Sequence, residues 1–221
     1  GNLADFTSFS FHAVKNLTTA EGGCATWKHI DGIDDGELYH LYQLYSLHGQ
    51  SKDALAKTKA GAWEYDIVGP WYKCNMTDIM AAIGLVQLKR YPSLIQRRYE
   101  IVKKYDEAMD AMHIEHIQHV SDAYHSSAHL YMIRIPDISV EQRNEIITRM
   151  AENGVATNVH FKPLPMMSGY KAYGWNIKDF PNAYHLYHNE ITLPLHTLLS
   201  NEDVEIVIQT LRSTLEEMKL L

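Results

Sequence analysis

The sequence predicts an α/β fold, and two patterns along it carry that prediction. Short stretches with apolar residues at every second position alternate with longer ones where they recur every third or fourth, the signatures of strands and amphipathic helices. Chains patterned this way pack helices against sheets. A third observation divides the fold: the longest helical tract contains Pro92, and a proline removes a helix hydrogen bond and restricts the residue before it. The expected organisation is a first part over 1–92 and a second over 93–221, entered through a bridging helix.

Phe6 to Phe11 alternates aromatic and small polar residues, as a strand does. Glu21-Gly22-Gly23 marks a turn and Cys24-Ala25-Thr26-Trp27 a returning strand, which together make a small hairpin. Leu38, Leu41, Tyr42 and Tyr45 give Asp34 to Leu47 a helical face that stops before His48-Gly49. The polar, glycine-containing run from Gln50 to Gly69 reads as a loop closed by the Gly69-Pro70 break. Thr77-Asp78 is suited to cap a helix carrying Ile79, Ala82, Ile83, Val86 and Leu88. Pro92 interrupts it, and a second helix is expected from Ser93 to Met112.

Farther along, Ser126 to Ile135 reads as a strand, Val140 to Asn153 as an amphipathic helix stopped by Gly154, and Val155 to Phe161 as another strand. Asn182 to Glu190 suits a short helix and Ile191-Thr192-Leu193 a strand. The last helix begins at Ser200, with Asp203 three residues on in near capping-box spacing, and runs through Val204, Ile208 and Leu211.

Composition narrows the function classes. Hydrophobic residues make up 46% and charged residues 21% of the 221, a globular rather than a disordered balance. A net charge of -7 offers no basic surface to nucleic acid or anionic lipid, so an anionic ligand needs a local cationic or N–H-rich pocket. The two cysteines, Cys24 and Cys74, lie far apart; they support neither a disulfide framework nor a zinc ribbon, and they suit a reducing cytoplasm. No apolar run approaches the roughly 20 residues of a membrane span.

Three segments hold the candidate chemistry. Lys15 stands alone among aromatic and aliphatic neighbours in Ser10-Phe11-His12-Ala13-Val14-Lys15-Asn16-Leu17, ahead of Thr18-Thr19-Ala20-Glu21-Gly22-Gly23. A lysine in water has a pKa of about 10.4; desolvation favours the neutral amine, which can attack an aldehyde and form a Schiff base. The plainer alternative is a lysine that lays its stem on apolar surface and sends its ammonium to solvent. The other segments are Tyr72-Lys73-Cys74-Asn75-Met76-Thr77-Asp78-Ile79 and Asn158-Val159-His160-Phe161-Lys162-Pro163-Leu164. Thirteen histidines invite a metal reading, with His113, His116 and His119 evenly spaced and His185 and His188 paired. No H-E-x-x-H or Cys/His zinc spacing occurs, so no metal is expected and these read as surface or interface histidines.

The three segments together resemble the DegT/StrS-type sugar aminotransferases, which use pyridoxal 5'-phosphate (PLP) and have the fold-type I architecture, and the likeness runs along nearly the whole chain. The resemblance implies that 1–92 is the C-terminal part of a PLP-binding large domain and 93–221 a small C-terminal α/β domain. It implies Lys15 as the Schiff-base and proton-transfer residue and Ser10 as a donor to the cofactor phosphate. Asn75 is implied to reach across a homodimer interface to the partner's cofactor, and His160 to contact a nucleotide sugar. The implied reaction moves an amino group from a donor, usually glutamate, to a nucleotide-linked keto sugar, for cell-surface glycan or related amino-sugar synthesis. Members that dehydrate sugars carry histidine in place of the lysine, so Lys15 argues against that branch.

Cys74 stands where an aromatic residue is usual and Pro70-Trp71 where Gly-Tyr is more common, and His12, His129 and His196 fall in matching segments without an assigned role. The start, Gly1-Asn2-Leu3-Ala4-Asp5-Phe6, reads like the middle of a protein, and the resemblance implies a preceding portion that carries the rest of the cofactor cradle. A second expectation therefore stays open: a non-catalytic fragment without PLP that folds as a dimerisation or binding unit.

Overall fold

The computed structural model describes residues 3–51 and 63–221; the expected loop at 50–69 therefore lies, over 52–62, outside the described residues. The chain forms two compact units, Gly1–Tyr91 and Pro92–Leu221.

The first unit opens with strands β1 (Phe6–Ser10) and β2 (Gly23–Trp27), paired antiparallel with Phe6 opposite Trp27 and Ser10 opposite Gly23. Helix α1 (Asp35–Ser46) follows, its N-terminus capped by the Asp34 carboxylate, which accepts from the Glu37 N–H at 2.8 Å. Tyr42 on α1 stacks on Trp27 of β2 with ring centroids 5.1 Å apart, and the Trp27 indole N–H donates to Asp35, so the helix lies against the hairpin. The chain returns beside the end of α1: His48 N–H donates to Tyr72 O and Cys74 N–H to Ser46 O.

Helix α2 (Asp78–Ala111) begins at Asp78, with the Thr77 hydroxyl accepting from Met80 N–H, and it runs unbroken through Pro92. The two helices expected on either side of that proline are one. Proline at an interior position costs about 3 kcal/mol, and burial of Ile101, Val102, Tyr105 and Met109 farther along the same helix offsets it.

The second unit is a three-stranded antiparallel sheet with helices on one face. Its strands are β3 (Glu115–His116), β4 (Tyr131–Arg134) and β5 (Glu190–Leu193), in the order β3-β4-β5. Tyr131 and Ile133 of β4 and Ile191 and Leu193 of β5 point into a core completed by α2, by α3 (Val140–Glu152) through Ile146 and Met150, and by α6 (Asn201–Glu217) through Val204, Val207, Leu211 and Leu215. Both α3 and α6 start in capping boxes, from Ser139 and Ser200. Gly154 ends the α3 turn at φ +81°, a conformation that favours glycine. Two short helices, α4 (Ser168–Lys171) and α5 (Pro181–Tyr187), precede β5.

Two expected strands are shorter than their apolar patterns suggest. Within 126–135 only Tyr131–Arg134 pairs, because Ala128 is in the left-handed region at φ +48° and its carbonyl is taken by the Arg98 guanidinium. Over 155–161 the pairing is a single bridge between Asn158 and Thr192; two residues on, the His160 N–H turns to the Glu190 side chain instead of a neighbouring backbone. Among the evenly spaced histidines, His119 corrects the surface reading. It is 3% exposed, stacked on Tyr131 at 5.8 Å, and its Nδ1 lies 2.6 Å from Ser126 Oγ.

Two predictions follow from this core. Arg98, 6% exposed, donates to the carbonyls of Ala128, His129 and Leu195, so Arg98→Met leaves buried acceptors unsatisfied and is expected to lower stability in urea denaturation by about 3 kcal/mol. Burial holds His119 below the ordinary histidine range, with Asp106 offsetting part of that effect and His116 adding to it. The unfolded chain therefore binds this proton more readily than the folded one. Stability is fully present above the unfolded pKa of about 6.5 and falls as pH drops through the lower folded value. His119→Phe is expected to flatten that acid limb relative to the parent chain in denaturation curves between pH 7 and 5.

Candidate active site

Lys15 sits in the connection between β1 and β2, a loop closed at its neck by backbone bonds. Phe11 N–H donates to Gly22 O at 2.8 Å, Thr19 N–H to Phe11 O at 2.9 Å, and the Thr18 hydroxyl to the same oxygen at 3.1 Å. At its tip Lys15 N–H donates to His12 O at 2.9 Å. The turn is half-wrapped: His12, Ala13 and Val14 are exposed while Lys15, Asn16 and Leu17 are half-buried. Ser10, the last residue of β1, is exposed, and its hydroxyl oxygen accepts a long bond, 3.4 Å, from His12 N–H. His12 also lies 3.6 Å from the Glu21 carboxylate.

The loop is fixed from below by residues with no chemistry of their own. Thr19 is fully buried, and its hydroxyl donates to Glu21 O at 2.7 Å. Gly22 holds φ +154°, and a Cβ placed there would meet Thr19 Oγ1 at 2.5 Å and Met76 Cε at 2.9 Å. That contact brings the Asn75-Met76 segment against the lysine loop. Asn75 itself is exposed. Its Oδ1 accepts from the Lys73 ammonium and its Nδ2 donates to Met76 O, while Thr77 caps α2, so the helix-capping use of Asn75 is not the one adopted. The unusual residues in this segment are accommodated: Trp71 packs edge-on against Tyr45 at 4.5 Å, and Cys74 is exposed with its N–H bonded to α1.

Ser10, Lys15 and Asn75 thus belong to the first unit and His160 to the second. His160 follows the Asn158 bridge and is half-buried beside β5. Its backbone N–H donates to Glu190 Oε2 at 2.9 Å, its Nδ1 lies 2.9 Å from Thr192 Oγ1, and the Thr192 hydroxyl donates to Glu190 Oε1 at 2.5 Å. Glu190 and Thr192 are 4% and 5% exposed. His160 and Glu190 border a cleft of about 400 Å³ over the outer face of the sheet, which Met132, Arg134 and Leu186 also line. Arg134 is already engaged there, 3.3 Å from Glu115 and bonded to Asn189 and His185. Glu190 and Thr192 carry no motif. Their signal was the polar–apolar alternation of Glu190-Ile191-Thr192-Leu193, which puts both on the face opposite the core. His129 and His196 do not join either cluster; the His129 carbonyl serves Arg98, and His196 is exposed.

A model of the DegT/DnrJ/EryC1/StrS aminotransferase family matches residues 1–212. The spore coat polysaccharide biosynthesis protein SpsC of Bacillus subtilis is 38% identical over 216 residues, covering 96% of this chain and 54% of that protein. A UDP-4-amino-4,6-dideoxy-N-acetyl-beta-L-altrosamine transaminase of Campylobacter jejuni is 31% identical over 219 residues, covering 99% and 54%. Among solved structures, the Streptococcus pneumoniae protein Spr1654, described as a sugar aminotransferase, superposes in its PMP form with a TM-score of 0.94 at 56% identity, covering 100% of this chain and 55% of that one. The chain therefore spans about half the length of these relatives, and its α/β architecture is that of the fold-type I aminotransferases. Matched along nearly all of its length, the chain belongs to the DegT/DnrJ/EryC1/StrS aminotransferase family.

Proposed function

We propose that the intact protein is a PLP-dependent aminotransferase that converts a nucleotide-linked keto sugar into an amino sugar, with glutamate as the amino donor. The observation that carries this reading is the setting of Lys15, a half-buried lysine on a loop pinned at its neck, in a chain of the aminotransferase family. The Campylobacter and Bacillus relatives, a UDP-amino-sugar transaminase and a polysaccharide biosynthesis protein, support the sugar substrate and the glycan context.

The residues present fit PLP. Lys15 supplies a primary amine, and Ser10, at the base of the same loop, has its hydroxyl engaged among the described residues by one long bond. When bound, the cofactor would supply the aldehyde and the electron-withdrawing ring that make an amino acid's α-proton removable. Lys15 Nζ would hold it, take the α-proton of the donor as a neutral amine, and later deliver a proton to the sugar carbon that receives nitrogen. Ser10 would donate its hydroxyl to the cofactor phosphate, Asn75 would donate its amide to the phosphate in a partner subunit, and His160 would contact the nucleotide sugar.

A homodimer is part of this reading. Ile79, Leu85 and Leu88 on the first turns of α2 are 77%, 65% and 60% exposed, a run of apolar surface of the kind that marks an interface. A second copy, together with further parts of the fold, covers it. A second reading stays open for the 221-residue chain by itself: a folded dimerisation or binding unit that does not bind the cofactor, to which the same apolar surface is suited.

Adding PLP to the chain separates the two readings. Visible absorbance that appears with PLP and is abolished in Lys15→Ala supports the first; its absence in the parent chain supports the second. In the intact enzyme, Lys15→Ala is expected to reduce kcat by at least about 10²- to 10⁴-fold, measured as transamination of a UDP-linked keto sugar. Asn75→Ala removes one hydrogen bond to a charged group, and the Kd for PLP is expected to rise about 10- to 100-fold in equilibrium titration.

A further inference from the structure

The ring of His160 is held in one protonation pattern by its neighbours. Glu190 accepts twice, from His160 N–H through Oε2 at 2.9 Å and from the Thr192 hydroxyl through Oε1 at 2.5 Å. A carboxylate can only accept, so the single hydroxyl proton of Thr192 is committed to Glu190. The oxygen of Thr192 is then left with lone pairs facing His160 Nδ1 at 2.9 Å. That contact is a hydrogen bond only if Nδ1 carries the proton. A neutral imidazole has one ring proton, so Nε2 keeps its lone pair. The strand register makes this chain rigid. Glu190 and Thr192 sit two apart on the same face of β5, both nearly fully buried, and Thr192 exchanges two backbone bonds with Asn158 just ahead of the histidine, at 2.7 and 3.1 Å.

We propose that Glu190 and Thr192 are positioning residues that fix His160 as the Nδ1-protonated tautomer, so that Nε2 accepts a hydrogen bond from a substrate hydroxyl or amide N–H. The inference rests on His160 as a substrate contact and adds which part of the substrate it meets. The surroundings argue against a phosphate at this nitrogen. A bare lone pair repels an anionic oxygen, Glu190 stands beside it, and the arginine of the cleft is already paired with Glu115. The sugar portion of a nucleotide sugar carries the neutral donors that such an acceptor selects.

The tautomer is read directly from the ring ¹⁵N shifts of His160 in the labelled chain at neutral pH, its signals assigned by their loss in His160→Gln. The expected result is a protonated Nδ1 and a bare Nε2, with Thr192→Val giving a mixture of tautomers and Thr192→Ser restoring the parent pattern. A proton on Nε2, or a Thr192→Val spectrum unchanged from the parent, overturns the positioning role whatever the enzyme's reaction. In the intact enzyme, Thr192→Val is expected to raise KM for a UDP-linked 4-keto hexose about 3- to 10-fold with kcat little changed, to leave inhibition by UDP alone unaltered, and to be rescued by Thr192→Ser. Equal weakening of UDP inhibition would assign His160 to the nucleotide portion and overturn the sugar contact. An unchanged KM in both Thr192→Val and His160→Gln, with the tautomer intact, would remove His160 from the substrate site and leave the transaminase reading to stand on Lys15.

Discussion

Strand β5 is held along both edges, and the second unit is arranged around that constraint. One edge pairs with β4 over four residues; the other exchanges two bonds with Asn158. Because the strand is covered on both faces, its alternation divides two environments. Ile191 and Leu193 enter the core among α2, α3 and α6, while Glu190 and Thr192 lie on the opposite face, nearly as buried, with Glu190 lining the cleft. The core helices also grip the strand directly: Arg143 of α3, 1% exposed, donates to the carbonyls of Tyr187 and Glu190. Packing on one side thereby fixes the coordinates of polar groups on the other, which is how a small sheet can hold a side chain to hydrogen-bond tolerance.

The first unit solves the same problem differently, with a loop instead of a strand. Its hairpin has few buried side chains, and the lysine loop takes its shape from the Phe11–Gly22 neck and from the buried Thr19. Small residues are required where elements close on one another. Gly22 meets Thr19 and the Met76 methyl, and a Cβ on Gly84 of α2 would come within 3.1 Å of the Thr19 methyl. The lysine segment and the Asn75 segment, more than 50 positions apart in the sequence, are thus brought side by side through contacts that involve neither candidate side chain.

Local pattern made some of this legible and not the rest. The hairpin, α1, α3, α5 and α6 were readable because their signals are local: alternation, a 3.6-residue period, the Gly154 stop and the cap at Ser200. Pro92 misled because tertiary burial on the far side of the proline outweighs a local penalty. The apolar run at 155–161 promised a strand, but pairing depends on what lies alongside, and among the described residues only Asn158 makes a strand bridge there. At the candidate site, Lys15, Ser10, Asn75 and His160 are proposed through resemblance, whereas Glu190 and Thr192 become visible only once β5 sets them under a histidine 30 residues away. The burial of His119 was hidden for the same reason, since three-residue spacing says nothing about which residue the core receives.

Comparing three histidines of the second unit, His116, His119 and His160, shows what makes one available for chemistry. His116 bonds Nε2 to Asp110 at 3.1 Å and buries Nδ1 3.1 Å from the Asp106 carboxylate, so its ring is held between two carboxylates within the fold. His119 gives Nδ1 to Ser126 and buries Nε2 against Tyr131 with no hydrogen-bond partner; its role is to fill the core. His160 commits its backbone N–H and Nδ1 to Glu190 and Thr192 and lines a cleft with the remainder of its ring. A side chain supports binding when the fold uses enough of its hydrogen-bonding capacity to orient it and leaves one position unspent. Of the three, only His160 meets both conditions, and it does so because the residues that orient it come from a strand whose own position is fixed by the core.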